Sequence, residues 1–137
     1  IGIHEYTPII CARSERKEVK VERLEKVAIA AAKQSLKAYV PKINPALSFA
    51  KVMASYAAED CYKGIAHCVD GAKNYINSSF EKNAKYLILI GPEGDFSDTE
   101  IEQATAAGFI PLSLGDARLR TETAALAAVL EVSLLNR

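Results

Sequence analysis

Two short stretches carry the residue types that could do chemistry. Gly91-Pro92-Glu93-Gly94 ends an apolar run, Leu87-Ile88-Leu89-Ile90. Gly115-x-x-x-x-Arg120-x-Glu122-x-Ala124 follows a second run, Ile110-Pro111-Leu112-Ser113-Leu114. Glycine at a strand end lets main-chain amides approach a bound molecule with no Cβ in the way. An arginine beside such a turn can stabilise developing negative charge, and a carboxylate can hold the guanidinium in place. The plainer reading makes Gly91 and Gly94 turn residues, and Glu93 and Arg120 solvated loop charges. What separates the two readings is whether both loops emerge at one edge of one sheet.

The pattern of elements puts them there. Leu87–Ile90, bounded by turn signals, has the look of a strand buried on both faces. Ser97-Asp98-Thr99-Glu100 is a capping box, so a helix starts there and ends at Gly108, where glycine suits a left-handed cap. Ile110–Leu114 is then a strand and Asp116–Arg120 a polar loop, with a last helix from Thr121 whose threonines, Thr121 and Thr123, serve as caps. Crossovers between parallel strands are nearly always right-handed, so both glycine loops fall at the carboxyl edge, where open α/β sheets bind ligands.

Upstream, Tyr6–Ala12 reads as a buried strand whose Pro8 marks an edge or a sheet end. Leu24, Val27, Ala28, Ala31, Ala32 and Ser35 have helical spacing from about Val21, in a helix that must stop before Pro41. Ala46–Ala58 is expected to be a helix, Lys63–Cys68 a strand, and Ala72–Tyr75 a helical stretch within a loop. Strands alternate with helices, so the fold class is α/β with a mainly parallel sheet flanked by helices.

At 137 residues the chain is expected to form a single domain. Seventeen basic and seventeen acidic side chains balance, which argues against non-specific nucleic-acid binding by charge alone but allows a local basic patch. No apolar stretch reaches the ~20 residues of a membrane helix, and no zinc-ligand or other metal spacing, dinucleotide fingerprint or phosphate loop is present. Cys11, Cys61 and Cys68 are odd in number with no C-x-x-C, as expected of reduced and mostly buried thiols in a cytoplasmic protein. His4 and His67 stand alone and are assigned structural or surface roles.

The two glycine motifs together, LILIGPEGDFS and SLGDARLRTETAALAAV, resemble the bacterial small-subunit ribosomal RNA uridine-N3 methyltransferases of the SPOUT class. Pro8-Ile9-Ile10-x-x-Arg13-Ser14-Glu15-Arg16, Ala31-Ala32-Lys33-Gln34-Ser35 and Val40-Pro41 extend the likeness over essentially the whole chain. One departure is that Ala117-Arg118 stands where the family has Arg-Ile. The resemblance further implies an N-terminal RNA-binding barrel domain, and a first strand and most of a first helix of the catalytic domain, preceding Ile1.

The resemblance also implies a C-terminal trefoil knot and S-adenosylmethionine as cofactor. Its adenine would be held by backbone groups of Ile90, Gly91, Pro92, Gly94, Leu114, Gly115 and Leu119, with Thr123 and Ala124 nearby. Arg120 would stabilise charge on the uridine ring with Glu93 orienting it, and Glu122 would remove the proton or anchor the loop. Arg13, Arg16, Gln34, Ser35 and Arg118 would face the substrate, small-subunit ribosomal RNA or the assembled subunit. A homodimer through the knot is implied, using the last helix and the alanine-rich one. Two alternatives keep the fold: a ribose 2′-hydroxyl of transfer RNA as target, or a non-catalytic RNA-binding or assembly module.

Overall fold

A computed structural model describes all 137 residues. Every strand pairing in it is parallel. β1 (Glu5–Tyr6) pairs with β3 (Lys42–Ile43), and β2 (Ile9–Ile10) with β4 (Leu47–Ser48). The strand expected over Tyr6–Ala12 is thus broken at Thr7-Pro8. Proline has no N–H for the ladder, and Pro8 contributes only its carbonyl, which accepts from Leu47 N at 3.0 Å. Asn44 bridges the break, its amide donating to Thr7 Oγ1 at 2.8 Å and to Glu5 Oε2 at 3.0 Å.

α1 (Val21–Gln34) buries Ala32 and half-buries Leu24 and Ala28, while Val27 and Ala31 of the expected apolar face are exposed, and it stops at Ser35 and the left-handed Leu36, φ 57°. α2 spans Phe49–Tyr56, shorter than the expected Ala46–Ala58. Leu47 and Ser48 are taken up in pairing with Ile9 and Ile10, and the Ser48 hydroxyl accepts from Lys51 N at 3.3 Å as the helix cap.

A three-stranded sheet in the order β6-β5-β7 forms the second half, from β5 (Tyr62–Ala66), β6 (Tyr86–Ile90) and β7 (Ile110–Leu112). β5 starts one residue before the expected strand and ends two before it, because His67 and Cys68 already belong to the loop. The helical turn expected at Ala72–Tyr75 is instead α3 (Ile76–Ser79). Asn74 is held extended against β7, its N–H on the Pro111 carbonyl and its own carbonyl accepting from Ser113 N. α4 (Asp98–Ala106) has the capping box in full, and Gly108 follows it at φ 92°. α5 (Thr121–Leu135) begins where the sequence placed it.

Both faces of this sheet are covered, as the continuous apolar run of β6 requires. Ile65 and Leu89 pack with Phe49, Val52, Phe96, Ala104 and Phe109 from α2, α4 and the loops bounding α4. Ile88 and Ile110 lie on the other face with Ile76, Phe80 and Leu112, under Val132 and Leu135 of α5. At the centre, Gly64 is demanded by close approach: a Cβ there would stand 2.2 Å from Leu112 Cδ1. No helix is long and apolar enough to cross a membrane.

Candidate active site

β5, β6 and β7 run in parallel, so the loops that leave them emerge at one edge. They enclose a cavity of about 320 Å³, within the range of roughly 300–1,000 Å³ usual for small-molecule sites. Gly91 and Gly115, separated by a helix and a strand in sequence, line this same cavity. Their neighbours Ile90, Pro92, Glu93, Leu114, Arg118, Leu119 and Ala124 line it too.

Each loop is tied to another. The Thr121 hydroxyl donates to the Gly91 carbonyl at 3.0 Å, fastening the start of α5 to the end of β6 in place of the capping role expected of it. The Cys68 amide donates to Asp95 Oδ2 at 2.9 Å, joining the loop after β5 to the loop after β6. Gly115 turns at φ 110°, a conformation that side chains rarely adopt.

Gly94 does not line the cavity, and its lack of a side chain serves a different contact. A Cβ at Gly94 would meet Arg13 Cβ at 2.9 Å and the Arg13 carbonyl at 3.2 Å. Arg13 Nη1 in turn donates to the Gly94 carbonyl at 3.3 Å and the Phe96 carbonyl at 3.4 Å. The guanidinium expected to face substrate therefore braces the loop after β6. Arg16 is exposed on the loop leading to α1, Gln34 is the last residue of α1, and the Ser35 hydroxyl donates to the Ala31 carbonyl at 2.8 Å. None of these three lines the cavity.

Arg120 lies at the rim, immediately between the lining residues Leu119 and Thr121. Its side chain is 87% exposed and its ion-pair partner is Glu122, at 3.8 Å, rather than Glu93. Glu122 and Thr123 are exposed in the first turn of α5, outside the lining.

Sequence reasoning missed the loop after β5 altogether. His67, Cys68, Asp70 and Lys73 line the cavity, with Asp95 and Asp116 from the other two loops. Both ring nitrogens of His67 are enclosed without a hydrogen-bond partner. Burial, and then the Lys73 ammonium, push its pKa below the ordinary value, against a smaller opposing pull from Asp95, so the ring is neutral at pH 7. Only the ordering of β5 next to both glycine-bearing strands reveals this wall, and no motif announces it. The thiols also divide more sharply than expected: Cys11 is buried, Cys61 half-buried and Cys68 exposed.

The lining suits a zwitterionic ligand with a cationic centre. It offers four carboxylates, Glu93, Asp70, Asp95 and Asp116, against two cations, Lys73 and Arg118, with apolar walls from Ile90, Leu112 and Leu119.

Comparison with known proteins gives a consistent picture. The RNA methyltransferase domain family matches residues 1–133. A ribosomal RNA small subunit methyltransferase E of Mesomycoplasma hyopneumoniae is 36% identical over 92% of this chain and 56% of its own length. A probable rRNA-methyltransferase from Porphyromonas gingivalis superposes with a TM-score of 0.90 at 43% identity, over 98% of this chain and 57% of the other. A putative methyltransferase from Legionella pneumophila, solved with the bound cofactor SAM, gives 0.89 at 27% identity, over 98% and 57%. The chain thus spans little more than half the length of these relatives. With its match across nearly every residue and its cavity at the carboxyl edge of parallel strands, the chain belongs to the RNA methyltransferase domain family.

Proposed function

We propose that these 137 residues form the catalytic domain of an S-adenosylmethionine-dependent methyltransferase acting on N3 of a uridine in small-subunit ribosomal RNA. The observation that carries the reading is the shared cavity of the Gly91 and Gly115 loops, in a fold whose close relative from Legionella was solved with SAM. Bound there, the cofactor supplies an electrophilic methyl group on a sulfonium, which needs no metal. Backbone groups of Ile90, Gly91, Leu114, Gly115 and Leu119 would hold its adenosine, Lys73 its carboxylate, and Glu93, Asp70 and Asp116 its cationic groups.

N3 of uridine must lose a proton before it can accept a methyl group, and negative charge then spreads to the ring oxygens. Arg120 stabilises that charge from the rim. Glu122 pairs with Arg120 and either removes the proton or anchors the loop, while Glu93 lines the cavity from the opposite loop. Replacing Arg120 by Ala in the complete protein lowers turnover by about a hundredfold while cofactor affinity stays the same. Unchanged turnover refutes the assignment. Mapping of modified nucleotides in ribosomal RNA from a deletion strain tests the target, and a ribose methyl missing from transfer RNA instead would replace it.

The same proposal includes a knotted C-terminal course, a cytoplasmic location and a homodimer. Leu126, Leu130 and Leu134 support the dimer: they recur every four residues on α5 and all three are exposed. Sedimentation as a monomer at high concentration would remove the dimer from it.

A further inference from the structure

The loop after β6 contains a residue whose conformation and partner the reading above leaves unused. Asp95 adopts φ 65°, the left-handed region that glycine enters freely and other side chains enter at a cost. Its amide donates to the Pro92 carbonyl at 2.8 Å, closing the turn. Its Oδ2 accepts from the Cys68 amide, 27 residues away in sequence, at 2.9 Å. Its Oδ1 lies 3.4 Å from the point a Cβ on Gly91 would occupy.

Cys68 is the second residue of the loop after β5, and the far end of that loop is fixed independently. There Asn74 N donates to the Pro111 carbonyl and Ser113 N to the Asn74 carbonyl, both at 2.9 Å. The loop is therefore a strap over the cavity with two anchors, and Val69 to Ala72 between them are exposed. A glycine at position 95 would make the turn without strain. An aspartate makes it with strain, and adds a bond to the strap that glycine cannot form.

We propose that Asp95 is a positioning residue, latching the loop after β5 to the loop after β6 and so setting the width of the cofactor cavity. The inference rests on the cavity being the S-adenosylmethionine site. With the latch closed, His67 and Lys73 stand in the cavity wall beside Asp95. With it open, the strap is held only where it leaves β5 and at Asn74, and the wall between those points is free to widen.

Two variants of the complete protein test it. Asp95→Gly suits the backbone but has no latch, whereas Asp95→Asn keeps an acceptor oxygen and tolerates the left-handed turn. Calorimetric titration with S-adenosylmethionine should give about tenfold weaker binding for Asp95→Gly, with less than about threefold change for Asp95→Asn. Hydrogen exchange should show the Cys68 amide losing protection in Asp95→Gly alone, with the β5–β6 ladder still protected.

Wild-type affinity in Asp95→Gly overturns the proposal. So does equal weakening in both variants, which would assign the effect to the carboxylate charge facing the ligand. Exchange at Cys68 is read without cofactor. A wild-type protein that does not bind S-adenosylmethionine would therefore sink the cofactor reading, and unprotected Cys68 in the wild type would sink the latch.

Discussion

Replacing Glu100 by Ala separates two bonds that a single carboxylate makes from the start of α4. The residue is only 7% exposed. Its Oε1 accepts from Ser97 N at 2.9 Å, completing the capping box, and its Oε2 accepts from Ala12 N at 3.1 Å, 88 residues away in the turn after β2. Removing the carboxylate leaves both donors without it. Each orphaned donor costs about 1–3 kcal/mol, and alanine returns a few tenths through its helix propensity, so the expected loss is about 3 kcal/mol. Ser97→Ala is the control: it deletes the hydroxyl that accepts from Glu100 N at 3.2 Å and should cost about 1 kcal/mol. Urea unfolding reads both, and the Glu100→Ala midpoint should fall by about 2 M, the Ser97→Ala midpoint by less than about 1 M. If Glu100→Ala is no worse than Ser97→Ala, the bond to Ala12 contributes nothing and the reasoning is refuted. The consequence reaches the cavity, because Ala12 precedes Arg13, which braces the Gly94 and Phe96 carbonyls.

Three further outcomes are expected. Gly64→Ala forces a methyl against Leu112, which is 1% exposed and has nowhere to move, so it should cost about 3 kcal/mol in chemical denaturation; a loss under about 1 kcal/mol would show that β7 shifts freely. Iodoacetamide at pH 8 should alkylate exposed Cys68 far faster than Cys11, whose thiol burial raises to about 12, and S-adenosylmethionine should protect Cys68; mass spectrometry finding Cys11 modified first would contradict the burial. His67 gives stability a pH dependence of known sign. Its native pKa is lowered, so between the unfolded value of 6.5 and the lower native value the unfolded chain binds more protons. Stability should therefore be full above pH 6.5 and fall as pH drops through that window, and His67→Gln should flatten the slope measured by thermal unfolding from pH 7 to 5.

Local chemistry made some of this legible in the sequence. Ser97 and Glu100 make a box from their own side chains, so three residues of spacing were enough to start α4. Gly108 takes the positive φ that its place after α4 suggested. The errors fell where a distant backbone decided the outcome. Leu47 and Ser48 have sequence neighbours that favour a helix, yet they pair with Ile9 and Ile10. Ala72–Tyr75 could have turned, but Asn74 is bonded to β7. His67 looked solitary because its neighbours, Lys73 and Asp95, come from a strap and from another strand's loop. Gly94 was expected to let its amide approach a ligand, and the group that approaches it in the structure is Arg13.

The placement of Arg120 follows from what each part of the site has to do. The cavity walls are tied by bonds in which at least one partner is main chain: Cys68 to Asp95, Gly91 to Thr121, Gly94 to Arg13, Asn74 to Pro111. Such bonds hold the cup's shape before anything enters it. A guanidinium buried among those walls would carry a desolvation cost that one carboxylate at 3.8 Å could not offset. On the rim it stays hydrated and paired loosely with Glu122, a pair worth little while exposed. Under the proposed function, a macromolecular substrate that covers the rim would remove that water, and the same charge would then act in a lower dielectric, where it stabilises an anion far more strongly. On that proposed reading, an exposed arginine beside a tied cavity serves a large, docking substrate, whereas a small diffusing one would gain nothing from it.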